Sequence, residues 1–554
     1  MTGALGYRRV PLMFALLCLM LAWLLPNHYR PWVSAYQDFL AFGAVVLGSF
    51  SLVLSRKTVV PAEALFFVLI ALVPVAQYFI GTIYFFGDAV LPAVYLLGFS
   101  LAMITGFNVY SVGRWNVVLE WFAGACILVS VLSGSIALAQ WLSLVNTIWI
   151  ADLPPGARPF ANMAQPNNLA SLLFMGLFGV HYFYEKYLLG RFCSGVLTLF
   201  ILFCIALTGS RTSWVVALSA LTFVGLVSMR LPARLPIKTV LLWVAIYFLL
   251  VVTVPSLSKA LYIDSYNLMQ RAMASDRLGL WLQMLQAIKL SPMLGYGWSQ
   301  VSLAQVSVAV AYPLQLMTEH SHNIVLDFLI WNGPVLGLIF VSVTAFRLVQ
   351  LVFRVGSVEV VFIVLCLLAL LVHGMLEFPL EYAFFLVPLG FLLGGLISEQ
   401  GGALRLSLPR PVVVAMVVTA CLVLHMFWRE YRVVAEDYRL MRFETAKIGT
   451  LKATEPAPDV VLLSQLREFT RFARTQPTAE MSGADLEWMR KVSHRYPYYL
   501  ALHRYALALA LNGHVEAARE QMLILRGLYG EKVYKHALAL TQFEHPELVE
   551  ALKL

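Results

Sequence analysis

The feature that most constrains this chain is the recurrence of apolar runs about as long as a bilayer is thick. A helix needs roughly 20 apolar residues to cross the hydrocarbon, and thirteen segments approach or meet that need, near 10–26, 36–54, 62–80, 89–106, 117–141, 167–183, 193–208, 212–229, 237–255, 323–345, 357–375, 379–398 and 411–427. In lipid the backbone must satisfy its own polar groups, so such runs fold as packed helices. The sequence therefore predicts an all-α polytopic membrane helical bundle of about 13 transmembrane helices. With 60% of 554 residues apolar and only 12% charged, an ordinary soluble protein is excluded.

The net charge of +9 is not a nucleic-acid signature, because the basic residues sit in short clusters between apolar runs rather than on one face. They read as topology. With the N-terminus inside, the inner loops collect Arg8, Arg9, Arg56, Lys57, Arg114, Lys186, Arg191, Arg230, Arg234, Lys238, Arg347, Arg354, Arg405 and Arg410, against Arg30, Arg158 and Arg211 in the short outer loops. This positive-inside bias predicts a bacterial inner-membrane protein with a cytoplasmic N-terminus and, across an odd number of spans, a periplasmic C-terminus. Arg8 and Arg9 precede an apolar run that ends in Pro26-Asn27-His28 instead of a small-residue cleavage site, so the first segment is expected to remain as a span. The six cysteines lie in or beside apolar segments without a CxxC pair, which argues for neither a disulfide framework nor a zinc site.

Two larger polar regions then fall outside, the loop near 256–320 and everything after about 428. The expected organisation is a transmembrane catalytic domain, 1–427, followed by a periplasmic helical domain, 428–554. Within the latter, "YLALHRYALALALNGHVEAAREQMLILRGLYG" reads as a helix, an Asn512-Gly513 turn and a second helix, which resembles a tetratricopeptide-like hairpin; a plain helical tail fits the same pattern.

The polar residues that interrupt the apolar pattern gather on the outer side. "RPFANMAQPNNLA" (158–170) brings Arg158, Asn162, Gln165, Asn167 and Asn168 to the start of the sixth span, suited to a polar site and equally to a Pro-broken loop that caps the next helix. "LTGSRTSW" (207–214) sets Arg211 in a short turn between apolar helices, where a charge needs a cavity or a partner. An anion is the natural partner, and a lipid head group is the alternative. In "SDRLGLWLQMLQAIKLSPMLGYGW" (275–298), Ser275 or Asp276 can cap an amphipathic helix whose Leu278, Leu280, Trp281, Met284, Leu285 and Ile288 suit a membrane surface, with Arg277 and Lys289 at head-group level.

"TEHSHNIVLDFLIWNGP" (318–334) places Glu319, His320 and His322 at the outer mouth of a membrane helix, with Asn323 and Asp327 continuing into it. Two histidines fall short of the three or four ligands a zinc site takes, so no metal is expected. The positive end of a helix disfavours an imidazolium, which suits a histidine there to accept a proton as a general base. Solvated interfacial histidines are the plainer reading. "VHGMLEFPLEYAFF" (372–385) adds His373, Glu377, Glu381 and Tyr382 at a Pro-bent helix start, where the carboxylates can orient a histidine or arginine or simply favour the helix dipole.

These motifs, "QPNNLA", "LTGSRTSW", "DRLGLW…SPMLGYGW", "EHSHNIVLDFLIWNGP" and "EFPLEY", resemble in this order those of bacterial protein O-oligosaccharyltransferases of the PglL type, in the superfamily of O-antigen ligases and Wzy polymerases. The resemblance runs over roughly residues 150–400 and extends to the hydrophilic tail. It implies transfer of a preassembled glycan from an undecaprenyl-diphosphate carrier to Ser or Thr hydroxyls of a periplasmic protein, often a type IV pilin, with no cofactor and no metal. It assigns the essential histidine to His322, with His320 second, and the diphosphate to Arg211 and Arg277. Gln165, Asn167, Arg158 and Tyr382 would serve substrate binding, and Glu319, Glu377 or Glu381 would orient the histidine.

Four other readings stay open on the sequence. An O-antigen ligase would use lipid A-core as acceptor and a polymerase another carrier-linked chain. A transporter of lipid-linked glycans would carry its charges nearer the midplane and show an internal repeat. A membrane anchor that only presents the tail would not need His322.

Overall fold

The computed structural model describes residues 9–55, 57–111, 115–144, 147–154, 156–263, 277–401, 405–449 and 457–554. Ser275 and Asp276, expected to cap a helix, lie outside them. The fold is helical apart from one two-stranded ribbon, β1 (Lys57–Pro61) antiparallel to β2 (Arg405–Pro409), with Val59 opposite Ser407. In chain order the first nine described helices are α1 (Arg9–Leu24), α2 (Ala35–Val53), α3 (Ala62–Phe79), α4 (Phe86–Ser111), α5 (Trp115–Trp141), α6 (Pro166–Glu185), α7 (Arg191–Leu207), α8 (Arg211–Ser228) and α9 (Ile237–Ala260). Two shorter helices follow, α10 (Arg277–Leu290) and α11 (Val301–Val308), before α12 (Ile324–Val352), α13 (Val358–Gly374), α14 (Ala383–Gln400) and α15 (Arg410–Thr445). The tail forms α16 (Ser464–Arg474), α17 (Gly483–Arg495), α18 (Tyr499–Leu511) and α19 (Val515–Glu544).

Each of the thirteen predicted segments falls on a helix. Among the described residues, nine helices are long and apolar enough to cross a membrane. The remaining predicted segments form α1, α7 and α13, of 16, 17 and 17 residues, and α6, of 20.

The chain divides into two compact units, one of Met1–Leu69, Tyr95–Ala274 and Ala345–His425, the other of Ile70–Val94, Ser275–Thr344 and Met426–Leu554. In the first, α6, α13 and α14 are strongly enclosed, each with most of its residues buried. Close packing here relies on small residues, as in many membrane helix pairs. Gly390 and Gly394 of α14 let its backbone meet α4, since a Cβ on Gly394 would stand 2.0 Å from the Met103 carbonyl oxygen. The Trp23 indole donates to the Phe384 carbonyl at 3.0 Å and ties α1 to α14.

In the second unit α12 is broken at Gly333, whose φ of 75° and ψ of 166° only glycine readily adopts, with Pro334 next. The break exposes carbonyls that need donors. The Tyr296 and Gly297 N–H groups reach Ile330 O and Trp331 O, while Gln77 Nε2 also donates to Trp331 O. The glycine turn of "LGYGW" thus serves as a plug for a broken helix, and the Trp298 ring stacks on Trp331 at 4.6 Å.

The same unit has a core in which Phe85, Val306 and Ala309 join tail residues such as Met489, Leu502, Leu525 and Leu528. The expected hairpin is present as α18, a turn with Gly513 at φ 81°, and α19, broken again at Gly530. Helix α10 divides its apolar residues differently from expectation. Leu280, Gln283, Met284 and Ala287 share the inward face, and Leu278, Leu282 and Leu285 stay exposed.

Candidate functional site

In the second unit the sequence-predicted histidines lie on a loop held almost entirely by buried side chains. Gln305, fully buried on α11, accepts from the Thr318 N–H at 2.9 Å and donates to Leu316 O and to Gln283. Gln283 of α10 in turn donates to Tyr312 O at 2.6 Å. Two amides on neighbouring helices therefore fix the approach to the motif. Thr318 Oγ1 donates to His320 O at 2.6 Å and accepts from the His320 N–H at 3.2 Å, closing a tight turn.

Ser321 is fully buried: its N–H donates to Asp327, its hydroxyl to Asn323 O, and its carbonyl accepts from the Trp281 indole. Asn323 Oδ1 caps α12 by accepting from Val325 N and Leu326 N at 3.0 and 3.2 Å. Between these two anchored residues His322 is held at φ 56°, a left-handed conformation that a β-carbon makes costly and that histidine tolerates better than most. A strained backbone kept by so many bonds is a mark of a functional position. Both His320 and His322 are half-buried, as is Arg277 at the start of α10. The Glu319 carboxylate accepts from the Tyr498 hydroxyl at 2.7 Å.

In the first unit the structure joins motifs far apart in sequence. Arg158 Nη1 lies 3.4 and 3.3 Å from the Thr208 and Gly209 carbonyls, in the turn that leads into Arg211, so two of the predicted cations belong to one loop cluster. The 158–165 segment is itself clamped. Gln140 accepts from Phe160 N and Ala161 N and donates to Ala161 O and Ala151 O. Asn162 donates to Leu24 O and Trp149 O, which makes it a structural clamp. Gln165 Oε1 caps α6 by accepting from Asn168 N at 3.0 Å, so the capping reading holds, carried by glutamine rather than asparagine.

Asn167 and Ser171, one turn apart on α6, face Glu377 and His373. The Asn167 amide donates to Glu377 Oε1 at 3.1 Å, and Ser171 Oγ lies 2.8 Å from His373 Nδ1. Asn167, Ser171, His373 and Glu377 are all buried. Glu381 ends a short 3-10 turn, Pro379–Glu381, and Tyr382 stacks on Phe384 at 5.1 Å. The chain after Tyr382 is pinned by the fully buried Asp38, whose carboxylate accepts from Ala383 N at 2.7 Å, from Ser34 and from Trp32.

Sequence reasoning did not single out Asp38, Gln140, Gln283 or Gln305. Their signal is a polar side chain inside an otherwise apolar helical run. Among the described residues, no three or more His, Cys, Asp or Glu side chains group closely enough to hold a metal ion.

Comparison with known proteins bears on what this arrangement does. The O-Antigen ligase family model matches residues 196–341, and one described as "Virulence factor membrane-bound polymerase, C-terminal" matches 361–542. A General O-oligosaccharyltransferase of Acinetobacter baylyi is 30% identical over 92% of this chain and 90% of its own length. A ComP-specific O-oligosaccharyltransferase of the same organism is 28% identical over 68% of this chain and 69% of its own. The fold defines a multi-pass membrane protein, and the relatives define an enzyme of glycosyltransferase type. The chain belongs to the bacterial O-oligosaccharyltransferase family, within the wider group of O-antigen ligase-like proteins.

Proposed function

We propose that this protein transfers a preassembled glycan from undecaprenyl diphosphate to Ser or Thr hydroxyls of a periplasmic protein such as a type IV pilin. The observation that carries the reading is His322, held left-handed between two anchored residues at the mouth of α12, in a chain alike over nearly its whole length to a General O-oligosaccharyltransferase.

In this reading the acceptor hydroxyl oxygen attacks the anomeric carbon as His322 removes its proton. The bond from that carbon to the diphosphate oxygen breaks, and undecaprenyl diphosphate leaves. A single displacement inverts the sugar. General-base assistance of this kind contributes about 10²–10⁴-fold. Arg211 and Arg277 receive the diphosphate and the charge that develops on it, since a guanidinium is always charged and matches phosphate oxygens with a planar fork. His320 assists His322. Arg158 supports the Arg211 turn, and Asn167, Gln165, Glu377, Glu381 and Tyr382 serve the substrates' polar groups. No step uses a metal. The N-terminus lies in the cytoplasm and residues 428–554 in the periplasm of a cell whose inner membrane holds the protein.

The test is co-expression with an undecaprenyl-linked glycan pathway and a candidate pilin, read by intact-protein mass. A glycan-sized increment with wild type that is lost in a well-expressed His322→Asn variant supports the proposal. No increment with either, together with glycan on lipid A-core, moves the assignment to an O-antigen ligase.

A further inference from the structure

Arg495, at the end of α17, is buried and hydrogen bonds to the equally buried Asp88 through Nε at 3.0 Å and Nη2 at 2.8 Å. Its carbonyl accepts from the hydroxyl of Ser302 at 2.8 Å. The third guanidinium nitrogen, Nη1, stands 3.8 Å from Glu319. Three residues further along the chain, the Tyr498 hydroxyl donates to the same carboxylate. One side-chain fork thus faces two carboxylates, one structural and one adjacent to His320. The Glu319 carboxylate is partly exposed, so it is not paired to relieve burial.

We propose that Arg495 and Tyr498 are positioning residues for the reaction, acting through Glu319 to fix the strand of chain that carries His320 and His322. The inference rests on the reading of His322 as the proton acceptor. The loop is anchored at Ser321, between the two histidines, by Asp327, after His322 by the Asn323 cap, and before His320 by Thr318. Glu319 supplies a further tether between Thr318 and His320, and its partners Tyr498 and Arg495 come from the C-terminal segment. That segment is then part of the catalytic apparatus rather than solely a scaffold for the acceptor. Misplacing a reacting group by about an ångström costs up to about 100-fold in rate, so a lost tether reads out in kcat.

The experiment uses the full-length protein with an undecaprenyl-diphosphate-linked oligosaccharide and a pilin, and measures kcat and KM for both substrates. Tyr498→Phe, which removes one oxygen, is expected to lower kcat about tenfold, with both KM values within about twofold and the unfolding midpoint unchanged. Glu319→Gln is expected to behave alike, and the double variant to fall no further than the lower single, the sign of one shared pathway. Arg495→Lys keeps the charge against Asp88 but loses the fork, and is expected to lower kcat further than Tyr498→Phe. Full kcat in Tyr498→Phe, or losses that multiply in the double variant, overturns the inference while His322→Asn still tests the parent reading. A wild-type protein that transfers no glycan overturns the parent reading and takes this one with it.

Discussion

The Ser321 N–H donates to Oδ1 of Asp327 at 2.9 Å, so the residue before His322 is clamped to the first turn of the helix that follows it. Removing that acceptor as Asp327→Ala leaves a buried N–H without its carboxylate, which costs about 1–3 kcal/mol. We expect the variant to lose at least about tenfold in kcat through the loosened loop. Asp327→Asn keeps an acceptor oxygen and is expected to be milder on both counts. Transfer kinetics and unfolding in detergent check this, and a wild-type kcat in the alanine variant would remove the clamp from the mechanism.

At His322 the backbone and the side chain make separable demands. The φ of 56° suits asparagine better than alanine, by about 1 kcal/mol. Both His322→Asn and His322→Ala are expected to lose about 10²–10⁴-fold in transfer, but the asparagine variant should unfold at the higher temperature. Equal activity in either variant and wild type would sink the general-base assignment.

Gly333 carries a conformation and a contact that no side chain fits. A Cβ there would lie 2.3 Å from the Met293 carbonyl oxygen, at a φ and ψ that strain every other residue. Gly333→Ala is expected to cost more than about 3 kcal/mol and to abolish accumulation in the membrane fraction, measured by quantitative immunoblot against wild type. Accumulation at the wild-type level would show that the helix break relaxes freely.

His503, buried between α18 and α19, meets Thr541 Oγ1 at 2.8 Å, and that hydroxyl donates onward to Ala537 O. The imidazole is therefore the donor through a protonated Nε2, in its neutral form. Burial first, then the neighbouring charge of Arg504, pushes its pKa down to about 4. An unfolded histidine titrates near 6.5, so the unfolded chain binds the proton more readily. Stability is full above about pH 6.5 and falls as pH drops toward 4, by roughly 3 kcal/mol at most from this group. Unfolding midpoints at pH 7 and 4.5 should differ in wild type and differ less in His503→Gln. An identical pH response in the two would rule the residue out as the source.

Length and apolarity located the nine helices that, among the described residues, can cross a membrane, because lipid leaves a chain no other way to satisfy its backbone. The helix start at Asn323 and the Asn512-Gly513 turn were legible for the same reason, since each is a local rule written in adjacent residues. What the sequence did not disclose are partners separated by hundreds of positions. Asp88 and Arg495 lie 407 residues apart, and Asn167 and Glu377 lie 210 apart. Buried glutamines were underread because an amide in an apolar run looks like an interruption. At Gln77, Gln140, Gln283 and Gln305 it is a bracket that spans a donor and an acceptor at once. The role of "LGYGW" in plugging the gap at Gly333 depends on a helix break that propensity places only weakly.

The core that Phe85, Val306 and Ala309 share with the tail helices bears on how such enzymes can be recombined. A chimera joined near residue 428 would cut within α15 and exchange half of a hydrophobic core while leaving the other half behind. Mismatched halves would leave voids and orphan the Asp88 carboxylate, whatever acceptor the donor tail prefers. Exchange of acceptor preference between relatives therefore has to carry the stretches near 70–94 and 277–344 together with the tail, as one heritable block.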